Sequence, residues 1–217
     1  MLLYELRKRV WKDNIALPAN GLVLWTSGNV SARDPESNLV VIKPSGVHFE
    51  DLTPENLTIV DLDGNVVEGD LAPSVDTESH LYVYRHRSDI HGITHTHSPY
   101  ATCFAIRGKS LPIYTTTSAA VFGGEIPISD LAAVGEKAIG AEIVKKIGDN
   151  SALLLKSHGV FTVGKSSTAS LKAAVILEET AQSVHYALSL GNDIQPLAED
   201  YIKEVYDFYQ NNYGQKK

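Results

Sequence analysis

The chain has 217 residues, 43% of them hydrophobic, which is enough to bury the core of one globular domain. Its formal net charge of -7 at pH 7 argues against nucleic acids and anionic membrane surfaces as partners, since both attract basic faces. The one cysteine, Cys103, excludes an intrachain disulfide, and the N-terminal segment lacks the apolar stretch of a secretory signal. These features predict a cytoplasmic protein, most simply an enzyme.

The first half of the chain predicts, in order, a helix, three strands, a hairpin strand and a second helix. These elements cover residues 2–16, 30–31, 39–42, 57–62, 66–67 and about 77–86. Pro18 and Gly21 would end the first helix. Asp63-Gly64-Asn65, between the last two strands, is typical of a hairpin turn. The sheet is therefore expected to be at least partly antiparallel.

The second half predicts a strand that holds His95, a helix after Ser98, a strand around Leu153 and three further helices. Those three helices are expected over about residues 129–147, 167–190 and 197–209. Hairpins mixed with helices of this length favour a layered α/β fold, with a mainly antiparallel central sheet flanked by helices, over a doubly wound nucleotide fold. No linker is visible, so residues 1–217 are predicted to form a single domain.

The triplet His95-Thr96-His97 is the strongest candidate for a metal site, because strand alternation points both imidazoles to the same side. His158, between two apolar runs, is a third candidate ligand, and Asp76 could supply an oxygen. Three nitrogens and a carboxylate suit tetrahedral zinc, with cobalt, manganese or iron less suited. A His-x-His spacing also occurs by chance, and His91 shares strand parity with His95, so spacing alone leaves the ligand set open.

Three segments rich in small polar residues are candidate anion sites. In residues 26–31 and 43–47, glycines let backbone N–H groups approach an oxyanion, hydroxyls add donors, and Lys43 adds charge. Residues 72–77 place Ser74 beside Asp76. Each segment is also typical of an ordinary turn or of a capped helix start. The first two segments match neither the Walker loop nor the dinucleotide-binding fingerprint.

In this order, the segments resemble the class II aldolase family, which includes L-fuculose-phosphate aldolase and L-ribulose-5-phosphate 4-epimerase. The resemblance covers almost the whole chain and rests on Asn14-Ile15-Ala16-Leu17-Pro18, Gly28-Asn29-Val30-Ser31, Ile42-Lys43-Pro44-Ser45-Gly46-Val47, Val67-Glu68-Gly69, His95-Thr96-His97, Ser157-His158-Gly159 and Asn212-Tyr213-Gly214-Gln215. It implies a zinc-dependent homotetramer built on an antiparallel sheet, with active sites between neighbouring subunits.

The resemblance also implies a role for each matching position. The metal ligands would be His95, His97 and His158, and the substrate would be a phosphorylated ketose. The residues that bind its phosphate would be Thr26, Gly28, Asn29, Ser45, Gly46 and Ser74, with electrostatic help from Lys43. Many relatives have serine at Val75, so one hydroxyl donor is absent here. The metal would polarise the ketone and stabilise the enediolate left by retro-aldol cleavage, which both family branches share.

Two positions resemble the epimerase branch. Asp76 stands where the aldolases typically have a glutamate base, and in the epimerase this aspartate lies at the metal. The C-terminal motif around Tyr213 resembles the epimerase tail, whose tyrosine reaches a neighbouring subunit's site as acid or base. The resemblance therefore implies Asp76 and Tyr213 as catalytic residues.

Two other positions match neither branch fully. Ala120 aligns with the epimerase's proton-transferring aspartate, and Thr116 aligns with a tyrosine of the aldolases, while Tyr114 and Glu125 are nearby candidates for the missing role. We predict 4-epimerisation of L-ribulose 5-phosphate in preference to cleavage of a sugar 1-phosphate. Decarboxylase or dehydratase chemistry, and a non-catalytic metal-binding scaffold, are the remaining alternatives.

Overall fold

The computed structural model of the protein describes residues 1–133 and 137–214. In chain order, the elements they form are α1 (Tyr4–Ala19), β1 (Asn29–Arg33), β2 (Val40–Ile42), β3 (Thr58–Val60), β4 (Val66–Glu68), α2 (Thr77–His86), β5 (Gly92–Thr96), α3 (Pro99–Arg107), α4 (Thr116–Phe122), α5 (Lys137–Lys146), β6 (Ala152–Leu155), β7 (Gly159–Gly164), α6 (Ser167–Leu190) and α7 (Glu199–Asn212). A short 3₁₀ helix over Phe49–Asp51 lies between β2 and β3.

The strands form one seven-stranded sheet in the order β4-β3-β2-β1-β5-β7-β6, and each neighbouring pair is antiparallel. The expected hairpin is present, because Asp61 and Asn65 close the turn between β3 and β4. At the centre, β1 pairs with β5 so that Asn29 lies opposite His95. The prediction of a layered α/β fold with an antiparallel central sheet is confirmed.

Helices cover both faces of the sheet, and strand alternation decides which side chains each face receives. On one face, α2 and α5 pack with Ile93, Phe161 and Leu153 in a single buried cluster. On the other face, α6 packs against β5, where the Ser170 and Thr94 hydroxyls lie 2.8 Å apart. His95 has the parity of Ile93, so its side chain lies on the α2 face.

Two element predictions need correction. The first helix passes through Pro18 to Ala19. Proline removes one N–H, but the N–H groups of Asn20 and Gly21 still bond to the carbonyls of Ala16 and Pro18, which completes the last turn. The helix predicted over residues 129–147 begins at Lys137 in the structure, and residues 134–136 lie outside the described residues.

The early part of that predicted helix is non-helical because its backbone bonds to the sheet. The N–H of Ser129 donates to the carbonyl of Leu154 in β6. Helix α4 is not predicted by the sequence pattern because it is short, and only its cap marks it: the Thr115 side chain accepts from the N–H of Ser118. None of the described helices combines the length and apolarity required to cross a membrane, α6 included.

Candidate active site

Three histidines meet where the central strands end. His95 is the penultimate residue of β5, His97 follows that strand, and His158 lies in the turn between β6 and β7. One nitrogen from each ring lies within 4.8 Å of the other two, and the ring centroids are 4.9 to 5.1 Å apart. The structure thus brings together the three histidines that were predicted as metal ligands.

The backbone of the β6–β7 turn explains how His158 reaches this cluster. Ser157 has a φ of 58°, a left-handed conformation that turns the chain sharply between the two strands. At Gly159, a Cβ atom would lie 2.4 Å from the carbonyl oxygen of Thr96 and 2.9 Å from Cδ2 of His97. Glycine is therefore required here, because the turn approaches the His97 segment more closely than any side chain allows.

The hydrogen bonds and the protonation states of the histidines fit a metal ion. Nδ1 of His95 lies 2.9 Å from the carbonyl oxygen of Val160 and donates to it, which leaves a lone pair on Nε2 for a ligand bond. Burial lowers the pKa of His95 to about 4, and it also lowers the pKa values of His97 and His158. All three rings are consequently neutral at pH 7, which is the protonation state that binds a metal.

The cluster opens into a cavity of about 340 Å³. The cavity is lined by the residues predicted to bind phosphate and by the predicted metal residues, namely Thr26, Gly28, Asn29, Lys43, Ser45, Gly46, Ser74, Asp76, His95, His97 and His158. Ser27, Pro44 and Val75 complete the lining. Candidate metal ligands and candidate anion-binding residues from five separate sequence segments thus line one cavity.

Glycine at position 28 lets the first of these segments approach the metal residues. Gly28 has a φ of 78°, and a Cβ atom there would lie 2.9 Å from the carbonyl oxygen of His95 and 2.5 Å from a methyl carbon of Val23. Gly46 also has a positive φ, of 69°, but its surroundings are open. Gly28 is therefore fixed by both backbone conformation and space, whereas conformation alone selects glycine at position 46.

Lys43 supplies the positive charge on the anion side of the cavity. Its side chain is almost fully buried, and Nζ donates to the carbonyl oxygen of Thr26 over 3.1 Å. Burial lowers the pKa of this ammonium group to about 8, although the carboxylate of Asp76 acts in the opposite direction. At pH 7 the lysine is mostly charged and has few partners that compete with an anion.

Asp76 stands at the N-cap position of α2 beside the histidines. Its Oδ2 atom accepts a 2.7 Å hydrogen bond from Nδ2 of Asn29. Burial raises the pKa of Asp76, but the neighbouring His95 and His80 and the bond from Asn29 outweigh this effect and leave the pKa below its usual value. Asp76 is not part of the group whose ligand atoms all lie within 4.8 Å of one another. It is placed as a charged neighbour of the three-histidine cluster.

Tyr213 lies away from the histidine cavity in the structure. Its side chain is 71% exposed, and its ring stacks on Tyr209 with a centroid separation of 4.3 Å. Nζ of Lys172 is 5.2 Å from the Tyr213 ring centroid, and Lys172 belongs to α6 on the sheet face opposite His95. Tyr213 does not line the histidine cavity. Gln215, in the same C-terminal motif, lies outside the described residues.

The positions that match neither family branch are also away from the cavity. Ala120 is buried in α4, and its carbonyl oxygen accepts a hydrogen bond from Gln210 of α7. Glu125 accepts a hydrogen bond from Ser110 and, with Tyr114, lines a separate cavity of about 520 Å³. His91 does not line the histidine cavity either. No side chain among these residues replaces the epimerase aspartate within the same chain.

Sequence reasoning missed one residue beneath the cavity. The sequence assigns His80 no role beyond a surface or core residue. In the structure it is fully buried one helical turn after Asp76, and the centroids of its ring and the Phe161 ring are 5.0 Å apart. Its signal in the sequence is the four-residue spacing from Asp76, which places both side chains on the same face of α2.

Residues 9–185 match the model of the class II aldolase and adducin N-terminal domain. The chain belongs to this family. A curated relative, L-ribulose-5-phosphate 4-epimerase UlaF from Salmonella paratyphi C, is 36% identical over 99% of this chain and 100% of its own length. The expected resemblance to the class II aldolases is confirmed.

Solved structures agree with this assignment. An L-fuculose 1-phosphate aldolase superimposes with a TM-score of 0.89 at 27% identity, covering 95% of this chain and 96% of its own. The L-fuculose-1-phosphate aldolase from Thermus thermophilus gives a TM-score of 0.76 at 26% identity, covering 88% and 98%. These relatives are sugar-phosphate epimerases and aldolases, and the prediction that the chain is an enzyme of this family is confirmed.

Proposed function

We propose that the protein is a zinc-dependent enzyme that acts on a phosphorylated ketose by retro-aldol chemistry, with L-ribulose 5-phosphate 4-epimerisation as its reaction. The observation that carries the proposal is the shared cavity, in which three neutral histidines face a set of glycine, hydroxyl and lysine donors. A metal ligand set and an anion site in one cavity suit a substrate that carries a carbonyl at one end and a phosphate at the other. The names of the relatives support the same substrate class.

The phosphate end of the substrate would be held by residues of three segments. Backbone N–H groups at Gly28 and Gly46 and the hydroxyls of Ser45 and Ser74 are donors for its oxygens. Lys43 contributes positive charge from a buried position, where the low local dielectric strengthens its attraction for an anion. Val75 lines the cavity without a hydroxyl, so its backbone N–H is the remaining donor at that position.

The carbonyl end would lie at the histidines. His95, His97 and His158 would hold the ion through three nitrogens, and a bound divalent ion supplies Lewis-acid polarisation of the ketone oxygen. Asp76, with its pKa kept below the usual range, is ionised at neutral pH and would serve as the fourth ligand and as a base near the substrate hydroxyl. Asn29 orients the Asp76 carboxylate and also belongs to the phosphate set.

Proton transfer on the far side of the substrate would come from Tyr213 of another copy. Within one chain this phenol lies on the sheet face opposite the histidines, so it can meet such a cavity only across a subunit boundary. The proposed assembly is a homotetramer with active sites between neighbouring subunits, and the proposed location is the cytoplasm. Cleavage of L-fuculose 1-phosphate is the second candidate, because two solved aldolases of that name share 26–27% identity and nearly the whole fold.

Product analysis of the zinc-loaded protein tests the proposal. We expect NMR to show conversion of L-ribulose 5-phosphate to xylulose 5-phosphate without free fragments. Fragments from L-fuculose 1-phosphate, with no epimer from the pentose, would contradict the preference and favour the aldolase. Metal binding without turnover of either substrate would instead favour a non-catalytic scaffold. Metal-free protein, prepared with a chelator and then reloaded, is the matched control.

A further inference from the structure

A buried ladder of polar side chains joins β1 to α2 directly beneath the cavity. Alternate residues of β1, at positions 29, 31 and 33, face successive turns of α2 at positions 76, 80 and 84. The spacings match because two strand residues advance about 6.6 Å and four helix residues advance about 6 Å. The Asn29–Asp76 bond is the step of this ladder that belongs to the site already described.

The second step contains His80. The Ser31 hydroxyl lies 2.7 Å from Nδ1 of His80 and 2.8 Å from the hydroxyl of Tyr84. All three side chains are fully buried. At the third step, Arg33 donates to the carbonyl oxygen of Tyr84 over 2.8 Å, which closes the far end of the ladder away from the cavity.

The direction of the hydrogen bonds along this step follows from proton counting. Ser31 is the partner of the Tyr84 hydroxyl among the described residues, so a buried tyrosine proton is satisfied only if Tyr84 donates to Ser31. Nδ1 of His80 is the other partner of the Ser31 hydroxyl among the described residues, so the buried proton of Ser31 is satisfied only if it is donated to Nδ1. Neutral His80 must carry its proton on Nε2. The opposite direction would leave the Tyr84 hydroxyl as a buried donor without an acceptor.

Nε2 of His80 is buried and has no hydrogen-bond partner within the part of the chain that the structure describes. Two charged or titratable groups act on this ring electrostatically: Asp76, one helical turn earlier on α2, and His95 on β5. An imidazole N–H needs an acceptor, and of these two the carboxylate is the stronger one. Burial lowers the pKa of His80 to about 3, so the ring is neutral and a single N–H is available.

We propose that His80 is a positioning residue whose Nε2–H, fixed by the Tyr84–Ser31 hydroxyl chain, donates through one bridging water to the carboxylate of Asp76. One oxygen of Asp76 is held by Asn29 from β1, and this second contact orients the other oxygen toward the histidine cluster. The inference rests on the proposed function in one respect, namely that this function assigns Asp76 a role at the metal.

The first test reads the tautomer directly. In protein labelled with ¹⁵N-histidine, long-range ¹H–¹⁵N NMR distinguishes the protonated nitrogen of each ring, and loss of one signal set in His80→Asn assigns His80. We expect a proton on Nε2 and none on Nδ1 between pH 6 and 8. A proton on Nδ1 would overturn the proposal, because the hydroxyl chain would then run the other way.

A pair of substitutions tests what the Nε2–H does. His80→Asn keeps a polar atom at the Nδ1 position beside Ser31 but does not reach Asp76, whereas His80→Gln places an amide N–H near the Nε2 position. We expect zinc affinity, measured by competition with a chelator, to fall about 10- to 100-fold in His80→Asn. Affinity in His80→Gln should stay close to that of the wild type. His86→Asn, at an exposed histidine of the same helix, is the matched control.

Two affinity results would contradict the proposal. Wild-type zinc affinity in His80→Asn would show that the N–H has no effect on the site, and equal losses in both variants would show that His80 acts only through packing. If His80→Asn does not fold, the tautomer of the wild type still decides, since the other histidine signals can be assigned separately. Neither the NMR tautomer nor the zinc affinity requires turnover, so failure of this proposal can be distinguished from failure of the proposed reaction.

Discussion

The histidine cavity and the C-terminal tyrosine differ in how much of their surroundings one chain supplies. The cavity is lined by groups from five segments of one chain, and close backbone contacts at Gly28 and a hydrogen bond between Asn29 and Asp76 hold several of them in place. Tyr213 is exposed, directly follows α7, and its ring lies against Tyr209 and Lys172. One chain thus assembles the metal and phosphate half of a site, while its candidate proton donor is free to serve another copy.

The largest expected effect comes from removing a histidine of the cavity. His95→Ala should release most of the bound metal and reduce turnover by about 10³-fold, since Lewis-acid stabilisation accounts for several kcal/mol of the barrier. Elemental analysis of the purified protein measures the metal content. His86→Ala, at an exposed histidine, should retain it. Full metal occupancy in His95→Ala would remove this residue from the ligand set.

Tyr213→Phe should reduce turnover by about 10²-fold or more and leave the metal content unchanged, because the phenol transfers a proton but binds no metal. Tyr201→Phe, on the same helix, is the control and should remain active. Mixing the inactive His95→Ala and Tyr213→Phe proteins should restore part of the activity, since some sites would combine an intact cavity with an intact phenol. Absence of any recovery after subunit exchange would argue for a site completed within one chain.

Lys43→Met should raise KM for the phosphorylated substrate about tenfold at pH 7, which corresponds to about 1.4 kcal/mol of lost charge-assisted binding. The pKa of Lys43 is lowered to about 8, so the wild-type lysine loses its charge as pH rises through this value. KM of the wild type should therefore rise above pH 8 and approach that of the variant. A constant ratio of the two KM values from pH 7 to 9.5 would contradict this role.

The same lysine affects stability in a defined direction. Its folded-state pKa lies below the unfolded value of 10.5, so the unfolded chain binds more protons between about pH 8 and 10.5. This group alone makes the free energy of unfolding increase with pH across that window, and Lys43→Met removes the increase. Thermal unfolding at several pH values measures the difference, with Lys12→Met as the control.

The smallest expected effect concerns a helix cap close to the His97 segment. Glu178 of α6 accepts hydrogen bonds from the N–H groups of Tyr100 and Ala101 at the start of α3, shortly after His97. Glu178→Ala should lower the free energy of unfolding by about 1 kcal/mol, as for the loss of a helix cap. Glu179→Ala, at an exposed neighbour, should not. Zinc affinity should be unchanged, and a large loss would show that this cap also positions His97.

Local patterns were sufficient for much of the fold. Helical spacing, turn residues and strand alternation predicted the antiparallel hairpin and most helices, because these features depend on neighbours in the chain. The patterns failed where distant backbone groups competed. Ser129 bonds to β6 and so does not begin a helix. The patterns also failed at Pro18, where the N–H groups of Asn20 and Gly21 complete the last turn and the helix continues to Ala19.

For the site, the sequence by itself determined the chemistry of the groups: paired histidines on a strand, a third histidine between apolar runs, and glycine and hydroxyl segments suited to anions. Tertiary structure alone decided that they share one cavity, because the pairing of Asn29 with His95 and the close approach at Gly159 join segments far apart in sequence. It also decided that His80 is buried beside Asp76 and that Tyr213 lies away from the cavity. Burial and long-range hydrogen bonds set these positions, and neither is a property of local sequence.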